Sequence, residues 1–156
     1  MKHIEWIALL VVSSLLAFSA SCQLQKFKHS PLRAASDANR FLSALYFERD
    51  YSKALELADP ILSQSATKEN LEVMVDELKQ QKGEVREFKA DSYLMVQGRG
   101  MELFYIGHWQ RGTSYHRLVL SGDADSGYRV SGIWYKDEPY PDQALRHRFS
   151  EEIVVR

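Results

Sequence analysis

Val85-Arg-Glu-Phe-Lys-Ala-Asp-Ser-Tyr-Leu-Met-Val96, the turn text Gly98-Arg-Gly100, and Met101-Glu-Leu-Phe-Tyr-Ile-Gly-His-Trp-Gln110 decide the fold. Apolar positions recur here every second residue, the period of a pleated strand. In the first run Phe88, Ala90, Ser92 and Leu94 occupy alternate positions and are expected on one face. In the second, Leu103, Tyr105, Gly107 and Trp109 fall on one face and Phe104, Ile106 and His108 on the other. Glycines separate the two runs, so the chain reverses into an antiparallel pair.

The pattern extends toward the C-terminus. Arg111-Gly112 is a tight reversal, Thr113 to Leu120 returns, Ser121 to Gly127 is a glycine- and aspartate-rich loop, and Tyr128 to Tyr135 is a fourth strand. Large side chains on both faces of Met101–Gln110 call for cover on both sides: helices on one, a partner or a loop on the other. Pro139 and Pro141 interrupt regular pairing. Residues 143–156 read equally as a short helix or an added strand, with Ile153-Val-Val155 extended. Arg146, His147 and Arg148 read as a solvated tail.

Toward the N-terminus the period becomes 3.6. Ala38, Phe41, Leu42 and Leu45 stack on one helical face, with Ser36 or Asp37 as the expected N-cap. Tyr51, Ala54, Leu55 and Ala58 repeat the spacing and stop at Asp59-Pro60, because the residue before proline is pushed out of the helical region. A third helix is expected after Thr67, with Glu69 in its first turn. Leu71, Met74, Val75 and Leu78 form its buried stripe, and Gly83 is its stop. Helices followed by a meander of four strands make an α+β domain over 36–156. Residues 23–35, polar and basic, read as a tether.

Residues 1–22 have the order of an export signal: a basic start at Lys2, an apolar run from Trp6 to Phe18, and small residues Ser19-Ala-Ser21 leading to Cys22. The apolar run is shorter than the roughly 20 residues a spanning helix needs. Phe18-Ser-Ala-Ser-Cys22 resembles the lipobox of bacterial lipoproteins, with Ser19 where that pattern prefers Leu. The resemblance implies a diacylglycerol on the Cys22 thiol. Cys22 is the single cysteine, so no internal disulfide is possible, and acylation removes a free thiol from an oxidising compartment. Ordinary cleavage nearby and an uncleaved anchor stay open as alternatives. With acylation, Gln23 resembles the residue that sorts Gram-negative lipoproteins to the outer membrane. The expected location is the cell envelope, on the periplasmic side of a bacterial membrane, lipid-anchored; otherwise periplasmic or secreted.

The 156 residues, 45% hydrophobic and 26% charged with net charge −1, fit one ordinary domain and give no electrostatic case for nucleic acid. Chemistry is sparse. His108 and His116 flank one hairpin and are expected near each other, as ordinary strand histidines on a partly exposed face. Two histidines without a third ligand make no zinc site. Asp91 and Glu102 are expected in surface pairs with Arg99 or Arg117. Asp123 and Asp125 lack the glutamate that closes a calcium loop. Ser114 and Ser131 have no nucleophile elbow around them. No catalytic residue, metal or cofactor is assigned, and the reading leans away from an enzyme.

The order of elements resembles the cone-shaped nuclear transport factor two-like superfamily, and more distantly the cystatin-like one. The resemblance is to small exported bacterial proteins, and it rests on Ala38–Leu45, Asp50-Tyr-Ser-Lys-Ala54, the Thr67–Gly83 helix, Met101–Ile106 and Val130-Ser-Gly-Ile-Trp-Tyr135. It implies a hydrophobic pocket between sheet and first helix, and a dimer through the sheet's other face. The aromatics lead to the functional expectation: a noncatalytic envelope module that binds a protein partner or a second copy. Its partner or pocket face is assigned to Tyr105, Trp109, Tyr115, Trp134 and His108. The alternative is a carrier of small hydrophobic ligands, or an enzyme, using the cone pocket.

Overall fold

The computed structural model describes residues 27–96, 98, 100–142 and 144–156; the leader, Cys22 and the first residues of the tether lie outside them. Helices come first and an open antiparallel sheet follows. Helix α1, Pro31–Leu42, begins well before the expected start at Ser36 or Asp37, because Ser30 is its N-cap and accepts from Arg33 N. Proline at the first position fits, since its missing N–H would have had no intrahelical partner. Asp37, expected as a cap, sits mid-helix and accepts from Tyr128 N at 3.0 Å.

A π-helical turn, Ser43–Phe47, continues α1. Such a turn inserts an extra residue into the helical ladder. Here three consecutive side chains, Ala44, Leu45 and Tyr46, are all buried. Arg49 (φ 54°) and the bond from Asp50 N to Ala44 O close the element. Helix α2 is Tyr51–Glu56, and α3, Pro60–Ser65, is a short helix the sequence pattern did not announce. Helix α4, Lys68–Lys82, opens on a reciprocal capping box between Thr67 and Asn70 and stops at Gly83 (φ 80°). Leu71, Val75 and Leu78 are its buried stripe.

The strands are β1 Val85–Val96, β2 Gly100–Trp109, β3 Gly112–Asp123, β4 Gly127–Lys136 and β5 His147–Val155, in the order β4-β3-β2-β1-β5. The sheet therefore has five strands where four were expected. The fifth pairs with the free edge of β1. Its side chains are mostly exposed, so it lacks the apolar alternation that marks a half-buried strand.

One residue reorganises the sheet. Ala90 lies opposite Tyr105, yet Ser92 lies opposite Phe104, so Asp91 is an extra residue in β1. The pairing with β5 breaks at the same place, passing from Ala90↔Ile153 to Ser92↔Arg148. A one-residue bulge moves every following side chain to the other face. Phe88 and Ala90 point toward the helices, with Tyr105 and Gly107. Ser92 and Leu94, expected beside them, point to the opposite face with Phe104 and Glu102.

The core lies between the helices and the inner face of the sheet. Ala35, Ala38, Phe41, Leu42 and Leu45 from the first helix meet Phe88, Leu103, Tyr105, Trp109, Leu118, Leu120 and Val130. Gly107 is required there: a Cβ on it would come within 2.6 Å of the Phe88 ring and 2.8 Å of Ser114 Oγ.

Candidate functional site

The five residues assigned to one partner or pocket face lie on two faces. Tyr105 and Trp109 are buried under the helices, and the Tyr105 hydroxyl donates to Asn39 Oδ1 at 2.8 Å. His108, Tyr115 and Trp134 belong to the outer face. The turn at Gln110-Arg111 explains the separation. It sets Tyr105 opposite His116 and Thr113 opposite His108, and paired residues share a face. The two histidines therefore point to opposite sides of the sheet and are not neighbours.

His116 is fully buried, which corrects its reading as a partly exposed strand residue. The Trp109 indole N–H donates to Ser114 Oγ at 2.7 Å. Ser114 Oγ lies 2.7 Å from His116 Nε2, and Nδ1 of the same ring lies 3.5 Å from the Tyr46 hydroxyl. A hydrogen-bond chain running Trp109→Ser114→His116→Tyr46 gives each of the four groups a partner with the imidazole neutral. The rings of Tyr46, Phe88, Trp109 and His116 pack edge-on or tilted, with centroids 4.7 to 6.2 Å apart. Burial pushes the His116 pKa down to about 3 and the Tyr46 hydroxyl well above its usual range. Serine and histidine at hydrogen-bond distance match part of a nucleophilic pair. This one has no surface approach, and its serine is already engaged by an indole. It is a polar clasp inside the core, in the place where the resemblance implied a pocket.

The outer face is where functional groups reach solvent. The segment from Asp137 to Arg146 crosses it as a strap. Tyr140 packs on Phe104 with centroids 5.6 Å apart, and Lys136 lies 4.3 Å above the Tyr140 ring. Arg146 anchors the strap at the bulge. Its guanidinium lies 3.9 Å from the Phe104 ring centre and donates to Ser92 Oγ at 2.5 Å, Asp91 Oδ2 at 2.8 Å and Tyr140 O at 3.1 Å. The Arg146 side chain is only 8% exposed, so it is no part of a solvated tail. Arg148 pairs with the other Asp91 oxygen. Asp91 thus meets Arg146 and Arg148, and not Arg117, which pairs with Glu102 instead; Arg99 lies outside the described residues. A hollow of about 260 Å³ remains beside the strap, lined by Ile106, Tyr115, Tyr140 and Asp142 among others.

Beyond the strap the face is open. Glu102 holds Arg117 by two bonds, at 2.7 and 2.8 Å, as the sequence suggested. The fork fixes Arg117 5.3 Å from the centre of the Trp134 ring. Trp134 lies over Gly132, whose missing side chain leaves room for the ring, and it is 49% exposed. Asp123, in the turn before β4, accepts from Asp125 N, Ser126 N and Ser126 Oγ, so its carboxylate organises that turn. Among the described residues, no three His, Cys, Asp or Glu side chains converge.

Tyr46, Ser114, Tyr140 and Arg146 were not singled out from sequence as site residues. Ser114 was within reach: the two-residue turn at Gln110-Arg111 fixes its face once the register is drawn. Tyr46 depends on the π turn and Arg146 on the bulge, and neither leaves a periodic signal. No protein-family model matches the chain, and no curated protein or solved structure matches it.

Two outcomes follow. His116 binds its proton near pH 6.5 when unfolded and near pH 3 when folded, so folding excludes a proton across that interval. The associated stability is complete above about pH 6.5 and falls on acidification, by up to about 1.4 kcal/mol per pH unit. Urea unfolding between pH 6.5 and 5 will show this slope in the wild type and a flatter one in His116→Gln. Arg146→Ala leaves Asp91 without its most buried partner and frees Tyr140. It is expected to cost about 2–3 kcal/mol and to raise hydrogen exchange across residues 137–146. Arg146→Lys will restore little, because an ammonium lacks the planar fork.

Proposed function

We propose that the chain is a noncatalytic module of the bacterial cell envelope, delivered by residues 1–22 and tethered through acylated Cys22. It binds a protein partner through the outer face of its sheet. The carrying observation is Trp134, half-exposed on that face and held between Gly132 and the Arg117 guanidinium. Tryptophan and arginine dominate the binding energy of protein interfaces. A pair already fixed by the Glu102 fork loses little side-chain freedom on binding. His108 and Tyr115, on the same face, complete the surface.

The filled inner face supports a binding module over a pocket-based carrier or enzyme. Phe41, Leu45 and the Tyr46–His116 clasp occupy the place where the alternative reading needs a hollow. Kinship with the nuclear transport factor two-like superfamily belongs to the same proposal, supported by helices preceding an antiparallel sheet and packing on one of its faces.

Site-specific photocrosslinking in intact bacterial cells tests the binding face. A benzophenone side chain at position 134 or 115 of the full-length chain is expected to give one discrete adduct, a second copy included. The same group at Glu72, exposed on α4, is expected to give none. Absence of adducts at 134 and 115, or equal adducts at 72, overturns the proposal.

A further inference from the structure

The chain leaves the domain at one end of the sheet, and three contacts fix where. Ala124 N donates to Lys28 O at 2.8 Å. The His29 ring reaches Gly98 O at 2.9 Å, and Ser30 N donates to the Tyr128 hydroxyl at 3.0 Å. The register places these partners together, because Val96 pairs with Gly100, Gly100 with Ser121 and Ser121 with Arg129. The β1–β2 and β3–β4 turns therefore form one tip. The Gln110-Arg111 turn and the C-terminal end of α4 lie at the other end.

This tip carries apolar side chains that no helix covers. Met95 is 47% exposed and Val96 is 39% exposed, at the last two positions of β1. Water-facing apolar residues are usual when scattered. These two close β1 and project from opposite faces of the strand, at the tip that also holds Lys28, His29 and Ser30. Lys28 lies six positions after Cys22, a span of at most about 20 Å when fully extended. An acyl chain on Cys22 would set that residue at headgroup level.

We infer that this tip is the membrane-facing pole of the domain, with Met95 and Val96 resting in the phospholipid interface. The inference rests on the tethering proposed above. The occupant is the bilayer, because the chain that would be anchored in it emerges at this tip and no other. The nearest acidic side chain paired to the exit segment, Asp125, has Lys28 as its counter-ion at 3.5 Å. In this orientation the strand axes stand away from the membrane, and the Trp134 face is presented sideways to the envelope space.

The full-length chain, expressed with its leader and purified in detergent, carries the test. Met95→Cys and Val96→Cys, each labelled with a nitrobenzoxadiazole fluorophore, are compared with labelled Gln81→Cys at the far end of α4. In phosphatidylcholine vesicles containing nitroxide-labelled phosphatidylcholine, the labels at 95 and 96 are expected to be quenched at least twofold and that at 81 hardly at all. Equal quenching at all three positions, with a diacylglycerol found on Cys22 by mass spectrometry, overturns this inference and leaves the tethering intact. A mature N-terminus bearing neither acyl group nor leader overturns both. A concentration-dependent blue shift at 95 and 96 without lipid assigns the tip to a second copy and also overturns it.

Discussion

The structure turns on one extra residue. Asp91 is unpaired in the ladder between β1 and β2, and everything after it in β1 faces the side opposite to what its spacing implies. The two faces of the sheet acquire separate roles there. Before the bulge, Phe88 and Ala90 belong to the core under the helices. After it, Ser92 joins Phe104 on the far side, where a buried guanidinium binds both. Asp91 is also the carboxylate that holds Arg146 and Arg148, so the residue that breaks the register supplies the charge that secures the strap.

That division governs what the molecule can do. The helix-covered face closes on itself through the Trp109–Ser114–His116–Tyr46 chain. Uncompensated burial of those groups would cost several kcal/mol, so each depends on the others. A core committed to such a clasp is a poor place for a ligand. The other face is divided between the strap and the Arg117–Trp134 pair. The recognition we propose is therefore placed on the face that a domain of this size cannot fully bury.

Much of this was legible in the residues, for reasons that can be named. The Ala38–Leu45 stripe, the Thr67 cap and the Gly83 stop are local, and local physics fixes them. The alternation in Met101–Gln110 correctly separated its two faces because that strand has no bulge against β3. Pro31 was read as tether because proline punctuates loops as well as opening helices, and only the Ser30 cap distinguishes the two. The alternation Phe88, Ala90, Ser92, Leu94 continued smoothly through Asp91, so it concealed the face change. Arg146 looked like a tail residue because both of its acceptors on β1 lie more than fifty positions away.

The central claim is that the faces of β1 exchange at Asp91, and cross-strand nuclear Overhauser contacts read that register directly. The account predicts contacts of Ala90 with Tyr105, Ser92 with Phe104 and Tyr93 with Leu103. An unbroken ladder would instead pair Asp91 with Phe104 and Ser92 with Leu103. Finding those two contacts would return Ser92 to the helix side and remove the anchor of the strap.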